Sequence, residues 1–279
     1  MEISDIWCEK YRPASLNDVV LNKNTLTYFK SVQQEKSVPN LLFVGQPGIG
    51  KTTLAKVIVN DILKCQYLYI NASDENGIDT IRTKVLNFAQ TKSLFGDIKV
   101  IILDECDGLS IDAQKALRNS MEEYHDLTRF VLTANYKHKI IPALQSRCQT
   151  IDIKYDKNDY ITKLISIVKE ENVSIKKEDF MSVVDNCYPD FRKGINNLQK
   201  YHLSDGNADF NFDSESFFDG LIDLLKQKKY TVIRKHIISN EELFNNDYDE
   251  LFKHLFDYLY NVNISEEKKR DCLITVSRY

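Results

Sequence analysis

The residues best suited to chemistry are Gly45-Gln46-Pro47-Gly48-Ile49-Gly50-Lys51-Thr52. Their spacing, G-x-x-x-x-G-K-T, is that of a loop that cradles phosphate. Glycine lets the backbone curl until several N–H groups face one anion. In such a cradle, formed by Pro47, Gly48, Ile49, Gly50, Lys51, Thr52 and Thr53, Lys51 would reach the β- and γ-phosphates of a nucleotide. The Thr52 hydroxyl would hold Mg²⁺. A second constellation is the apolar run Val100-Ile101-Ile102-Leu103 followed by Asp104-Glu105-Cys106-Asp107. There Asp104 would hold Mg²⁺ through a water, and Glu105 would orient or deprotonate an attacking water. Asn135 closes another apolar run, where the residue type suits either a γ-phosphate contact or a plain turn. Arg147, in Ser146-Arg147-Cys148, shows no local role, and surface arginine is common.

These groups need strands to carry them. Residues 41–44 form a short apolar run before the phosphate loop, as a buried parallel strand should. After the loop, Leu54, Val57, Ile58 and Ile62 keep helical spacing, so the loop opens a helix whose N-terminus favours anions. Strands are expected at 67–71, 98–103, 130–133 and 150–153, with helices at 78–90, 112–124 and 142–147 between them. That alternation predicts a mostly parallel sheet with helices on both faces and ligands at the strands' C-terminal ends. Ahead of it, Trp7 to Pro13 reads as an extended arm because Pro13 blocks a helix, and 24–37 reads as a helix capped by Asn24. Beyond residue 153 the strand signal ends. Helices are expected at 156–171, 176–186 and 191–202, then a linker at 203–213, then further helices from 214.

Bulk properties narrow the class. The chain has 279 residues, 43% hydrophobic and 28% charged, an ordinary globular composition. The formal net charge of −4 argues against a histone-like coat on nucleic acid and leaves room for a local basic face. No apolar run is long enough to span a membrane, and the first residues lack a signal-peptide pattern. The six cysteines form no C-x-x-C, so neither a zinc site nor a disulfide framework is expected, and they read as intracellular thiols.

Taken together, the stretches EKYRP (9–13), GQPGIGKT (45–52), LDECD (103–107), TAN (133–135), SRC (146–148) and DFRKGINNLQ (190–199) resemble the small subunits of sliding-clamp loaders, the replication factor C family. The resemblance covers about 200 residues in the family's order, and its most specific element is SRC after a phosphate loop and a D-E-x-D strand. It implies an α/β fold: a P-loop AAA+ parallel sheet with flanking helices (1–154), a helical lid (155–205) and a helical collar (206–279) that builds an open pentamer. It implies ATP and Mg²⁺ as ligands. Glu9, Lys10, Tyr11, Arg12 and Val20 would lie at the adenine side, Asn135 would sense the γ-phosphate, and Arg192 would touch the phosphates from the lid. Arg147 would be an arginine finger acting on ATP held by the neighbouring subunit. Lys51, Asp104, Glu105, Asn135 and Arg147 are thus the expected catalytic set. Leu21 departs from the family, which usually has glycine there, and the collar is short. The shortness suggests a phage or virus version working in the host cytoplasm.

The implied partners are a sliding clamp, a large loader subunit, further small subunits in a homo- or hetero-pentamer, and primer–template DNA. Backbone contacts to DNA would come from Arg82, Lys84, Lys115, Arg118 and Lys139, although single surface charges are often only solvated. Clamp contact would use apolar residues around 88–95, including Leu94 and Phe95. Two other classes fit the motifs: an ATP-driven remodeller such as a helicase loader, and a scaffold that binds ATP only to assemble.

Overall fold

The computed structural model describes residues 6–74, 77–91 and 98–204, together with 217, 220–221, 223–224, 227, 230–239, 251–252 and 255–256. The chain divides into two compact units, Met1–Ala208 and Asp209–Tyr279.

The first unit is built on one parallel sheet. Its strands are β1 (Leu41–Val44), β2 (Tyr67–Asn71), β3 (Lys99–Asp104), β4 (Thr128–Ala134) and β5 (Gln149–Asp152), in the order β2-β3-β4-β1-β5. Leu41, Leu42 and Phe43, Val100 to Leu103, and Phe130 to Leu132 are all fully buried. Helices cover both faces, so the central strands read as continuous apolar runs rather than alternating ones. Lys99 heads β3 yet is only 1% exposed. Its ammonium donates to the carbonyls of Phe88, Ala89 and Thr91, the open end of a helix. A lysine there satisfies acceptors that the helix itself cannot.

The helices flanking this sheet are α2 (Lys23–Glu35), α3 (Lys51–Val57), α4 (Ile78–Thr80), α5 (Leu86–Gln90), α6 (Ile111–Glu123) and α7 (Pro142–Gln145), preceded by the single turn α1 (Trp7–Lys10). Three local expectations need correction. The cap of α2 is Asn22 rather than Asn24: its side chain accepts the Thr25 N–H at 2.9 Å, and Asn24 already lies inside the first turn. The helix expected at 78–90 contains a π-turn, Ile81–Val85, between α4 and α5. Ile81, Val85 and Ala89 stay buried at four-residue spacing, so periodicity alone could not reveal it. The arm before Pro13 is not fully extended; α1 completes one turn before the proline. Trp7 is buried there, its backbone N–H donating to Gln199 Oε1 and its ring 5.4 Å from that of His202.

After β5 come α8 (Lys157–Glu170), α9 (Lys177–Cys187) and α10 (Phe191–Leu203). Tyr160, Leu164, Ile167, Phe180, Val183, Val184 and Leu198 form their interior. Gly194 lets α10 approach α8 closely, since a Cβ there would overlap the Tyr160 hydroxyl. That hydroxyl donates to the Asp190 carbonyl at 3.0 Å, and its ring packs 4.7 Å from Phe191. Gly194→Ala is therefore expected to destabilise the unit by about 1–3 kcal/mol despite alanine's better helix propensity. A midpoint of urea unfolding equal to that of the unsubstituted chain would contradict this.

In the second unit, Phe217, Leu221 and Leu251 are buried against Ile233, Ile237 and Leu255. Helix α11 (Tyr230–Ile238) supplies His236, whose ring stacks on Phe217 at 5.0 Å. No described helix is long and apolar enough to cross a membrane.

Candidate nucleotide-binding site

Three adjacent strands deliver their C-terminal ends to one place. β1 leads into the glycine loop, β3 ends in Asp104, and β4 ends at Ala134 beside Asn135. Register keeps these ends level: Val44 pairs with Ala134, and Leu103 with Leu132. Ligands of open α/β sheets sit at such ends.

The loop has the geometry its composition predicts. Gly48 and Gly50 have φ of 69° and 99°, in the left-handed region that glycine enters freely. Gly50 is the N-cap of α3, so the first N–H groups of that helix open onto the loop. Lys51 is only 7% exposed and donates to the carbonyls of Gly45 and Gln46, each at 2.8 Å, and to Asn135 Oδ1 at 2.7 Å. Burial pulls its ammonium down to about 8, against the opposing pull of Asp104, Asp107 and Glu105.

This shift has a definite sign. Native Lys51 loses its proton near pH 8, whereas the unfolded chain keeps one into the ordinary lysine range. Between those values the unfolded state binds the extra proton, so this group makes stability rise with pH there. Below that window the buried charge weakens the fold. The stability of the unsubstituted chain relative to Lys51→Met should thus improve from about pH 8 upward. A difference that stays flat on denaturant titration would refute it.

Asp104 is the hub of the acidic end. It is 7% exposed and accepts three hydroxyls: Thr52 at 2.7 and 2.9 Å, Thr133 at 2.6 Å and Tyr69 at 2.8 Å. Burial and the Asp104 bond both raise the Tyr69 phenol, so it stays a donor. Thr52 and Asp104 present hard oxygen ligands side by side, the donor set Mg²⁺ takes alongside phosphate and water. Glu105 sits at φ 56°, its N–H donating to Thr133 Oγ1 at 2.9 Å and its carboxylate accepting from Ser73 Oγ at 2.6 Å. Asp107 turns back to β4: one oxygen accepts the N–H groups of Asn135 at 3.2 Å and Tyr136 at 3.1 Å.

The remaining walls come from the arm and from α8 and α10. Tyr11, Arg12 and Val20 line the same pocket as the loop, as do Lys163, Phe191 and Arg192. Glu9 and Lys10 do not line it; Glu9 accepts from Arg12 at 2.5 Å, and Lys10 pairs with Glu171 at 2.7 Å. Tyr11 also donates to Glu171, at 2.6 Å. Asp190, the N-cap of α10, lies directly on the loop: a Cβ on Gly48 would overlap its carboxylate, and the Phe191 N–H donates to the Gly48 carbonyl at 3.2 Å.

Arg147 stands apart from this pocket. Although the sequence shows no local role for it, its guanidinium pairs with Glu122 on α6 and donates to the Ala143 carbonyl at 2.9 Å. Of the basic residues considered for DNA, Lys115 pairs with Asp112 at 3.0 Å, Arg118 donates to Asn119 at 2.7 Å, and Lys139 lies 4.5 Å above the Tyr136 ring. Lys84 is exposed, and Arg82 falls in the π-turn. Leu94 and Phe95 lie outside the described residues.

Sequence reasoning missed Thr133, Tyr69, Ser73, Asp190 and Lys163 as site neighbours. One signal was available. Thr133 is a hydroxyl in an apolar strand, and a fully buried hydroxyl needs a partner.

Residues 41–155 match the AAA family, the ATPase family associated with various cellular activities. Among solved structures, the Thermotoga maritima RuvB Holliday junction branch migration motor superposes with a TM-score of 0.58 at 16% identity, covering 94% of this chain and 85% of that one. Such a likeness speaks to the fold alone. Sequence relatives are nearer. The replication factor C small subunit of Methanococcus maripaludis strain C7 is 38% identical over 280 residues, covering 94% of this chain and 88% of the relative. That of Methanococcus vannielii is 45% identical over 200 residues, 69% of this chain and 63% of the relative's length. That of Sulfolobus acidocaldarius is 43% identical over 205 residues, covering 71% of this chain and 63% of the relative. These three come from Methanococcus and Sulfolobus species and lend nothing to the phage or viral expectation. With an AAA ATPase domain and a relative 38% identical across 94% of this chain, the protein belongs to the replication factor C small subunit family.

Proposed function

We propose that the chain is the ATPase subunit of a sliding-clamp loader, which opens a clamp and places it on primer–template DNA. The observation that carries this is the convergence of Lys51, Thr52, Asp104, Glu105 and Asn135 at three adjacent strand ends, in a chain of this family.

In this reading the glycine loop and the N-terminus of α3 bind the phosphates of ATP, with Lys51 on the β- and γ-oxygens. Mg²⁺, held beside Thr52 and Asp104, would neutralise charge developing on the phosphates. Glu105, its carboxylate held by the Ser73 hydroxyl, orients or deprotonates the attacking water. Asn135 faces the γ-phosphate, its turn fixed by Asp107. Tyr11, Arg12 and Val20 border the adenine side. Helices α8 to α10 act as a lid, with Arg192 over the phosphates, and the second unit is the collar. Arg147 reaches the ATP of a neighbouring subunit in a homo- or hetero-pentamer, with a large loader subunit as a further partner. Positioning and charge stabilisation carry phosphoryl transfer, with no covalent intermediate. Lys84, Lys115, Arg118 and Lys139, with Arg82, contact the DNA backbone without reading sequence.

Steady-state ATP hydrolysis by the reconstituted complex tests this, with and without cognate clamp and primer–template DNA. Strong joint stimulation is expected. Hydrolysis indifferent to the clamp would transfer the chain to the remodellers, and a verified complex that hydrolyses nothing would make it a scaffold.

A further inference from the structure

Asp104 is held more completely than its motif requires. Thr133 donates to Oδ1 at 2.6 Å, Thr52 to both oxygens at 2.7 and 2.9 Å, and Tyr69 to Oδ2 at 2.8 Å. These three hydroxyls differ in what they are free to do. Thr133 is fully buried and also accepts the Glu105 N–H, so it is locked. Thr52 is the hydroxyl that the nucleotide reading turns toward the metal. Once it turns, the described contacts leave Oδ1 on Thr133 and Oδ2 on Tyr69 alone.

We propose that Tyr69 is a positioning residue for the metal site: its phenol fixes the second oxygen of Asp104 so that the carboxylate keeps its orientation when Thr52 is recruited to Mg²⁺. This rests on the nucleotide reading above. Tyr69 is well placed for it. It lies on β2, the edge strand beside β3, opposite Ile102 and two residues before the Asn71–Asp104 pair. The residue is 39% exposed, so little packing depends on it, while Lys56 of α3 lies 4.8 Å from the ring centroid and holds its face. The phosphate helix, the edge strand and the acidic strand therefore meet at one phenol. Partners that orient a metal ligand are commonly worth about 10–100-fold in metal affinity or activity.

The test uses the full chain and its Tyr69→Phe variant, which removes only the hydroxyl. ADP affinity is measured in EDTA, and Mn²⁺ binding to the ADP complex is followed by electron paramagnetic resonance. The proposal expects unchanged ADP affinity in EDTA and a half-saturating Mn²⁺ concentration raised about tenfold. It also expects ATP turnover in the reconstituted complex to recover as Mg²⁺ is raised. An unchanged Mn²⁺ titration overturns it. So does an equal loss of ADP binding in EDTA, because the phenol would then be supporting the fold. Failure of the unsubstituted chain to bind ADP would instead bring down the nucleotide reading, and this proposal with it.

Discussion

Arg147→Ala should lower ATP turnover of the assembled complex by about 10³–10⁵ while leaving ATP affinity nearly unchanged. Within its own chain Arg147 is absent from the pocket lining and is held by Glu122 and the Ala143 carbonyl. Its side chain is 34% exposed and that of Glu122 49%, so the ion pair adds little to stability, about 0–1 kcal/mol. Losing it should not unfold the chain. The pair does offer a competing account, in which Arg147 merely ties α7 to α6. Glu122→Ala separates the two, because it breaks the tie and leaves the guanidinium available. A finger predicts near-normal turnover in Glu122→Ala; a structural tie predicts matching losses. Arg147→Lys should rescue poorly, since lysine cannot reproduce the planar bidentate fork.

Glu105→Gln should reduce turnover by about 10²–10⁴ and trap the complex with ATP bound. The substitution is nearly isosteric, and an amide can still pair with the Ser73 hydroxyl that now donates to the carboxylate at 2.6 Å. The backbone at Glu105 is left-handed and tied to Thr133, so the position of the group should survive while its basicity is lost. Ser73→Ala should produce a smaller loss, because the carboxylate remains but its aim is freed. Single-turnover hydrolysis of bound ATP reads both. Near-normal rates in Glu105→Gln would remove Glu105 from the reaction, and clamp placement that persists without hydrolysis would favour the scaffold.

The parts visible in the sequence are those that a continuous stretch of chain builds by itself. The glycine loop needs only its own residues and the helix it opens. Asp104 and Glu105 follow a strand whose apolar run is unbroken, so their place at a strand end could be read directly. Asn135 was legible as a position, and its contact with Lys51 depends on β1 lying beside β4, which are far apart in sequence. The same holds for Tyr69 and Ser73, which reach the acids only because β2 neighbours β3. No local spacing encodes that order. Arg147 looked partnerless for the same reason, since Glu122 lies on another helix. The π-turn within 78–90 was hidden because its buried positions imitate ordinary helical spacing.

The docking of the first helix has a mechanical consequence. Trp7 is bonded to Gln199, the Cys8 thiol donates to Asn196 at 2.8 Å, and Lys10 and Tyr11 hold Glu171, so these described anchors of α1 lie on or beside α8 and α10. A few residues later Leu16 is buried, and its N–H donates to Asp61 beyond α3. The chain between them, through Arg12 and Pro13, lines the pocket and links one layer to the other. A handle attached ahead of Trp7 would therefore pull on α10 before it pulled on the sheet. Through Asp190 that tension would arrive at Gly48, making the front of the chain a lever on the phosphate loop.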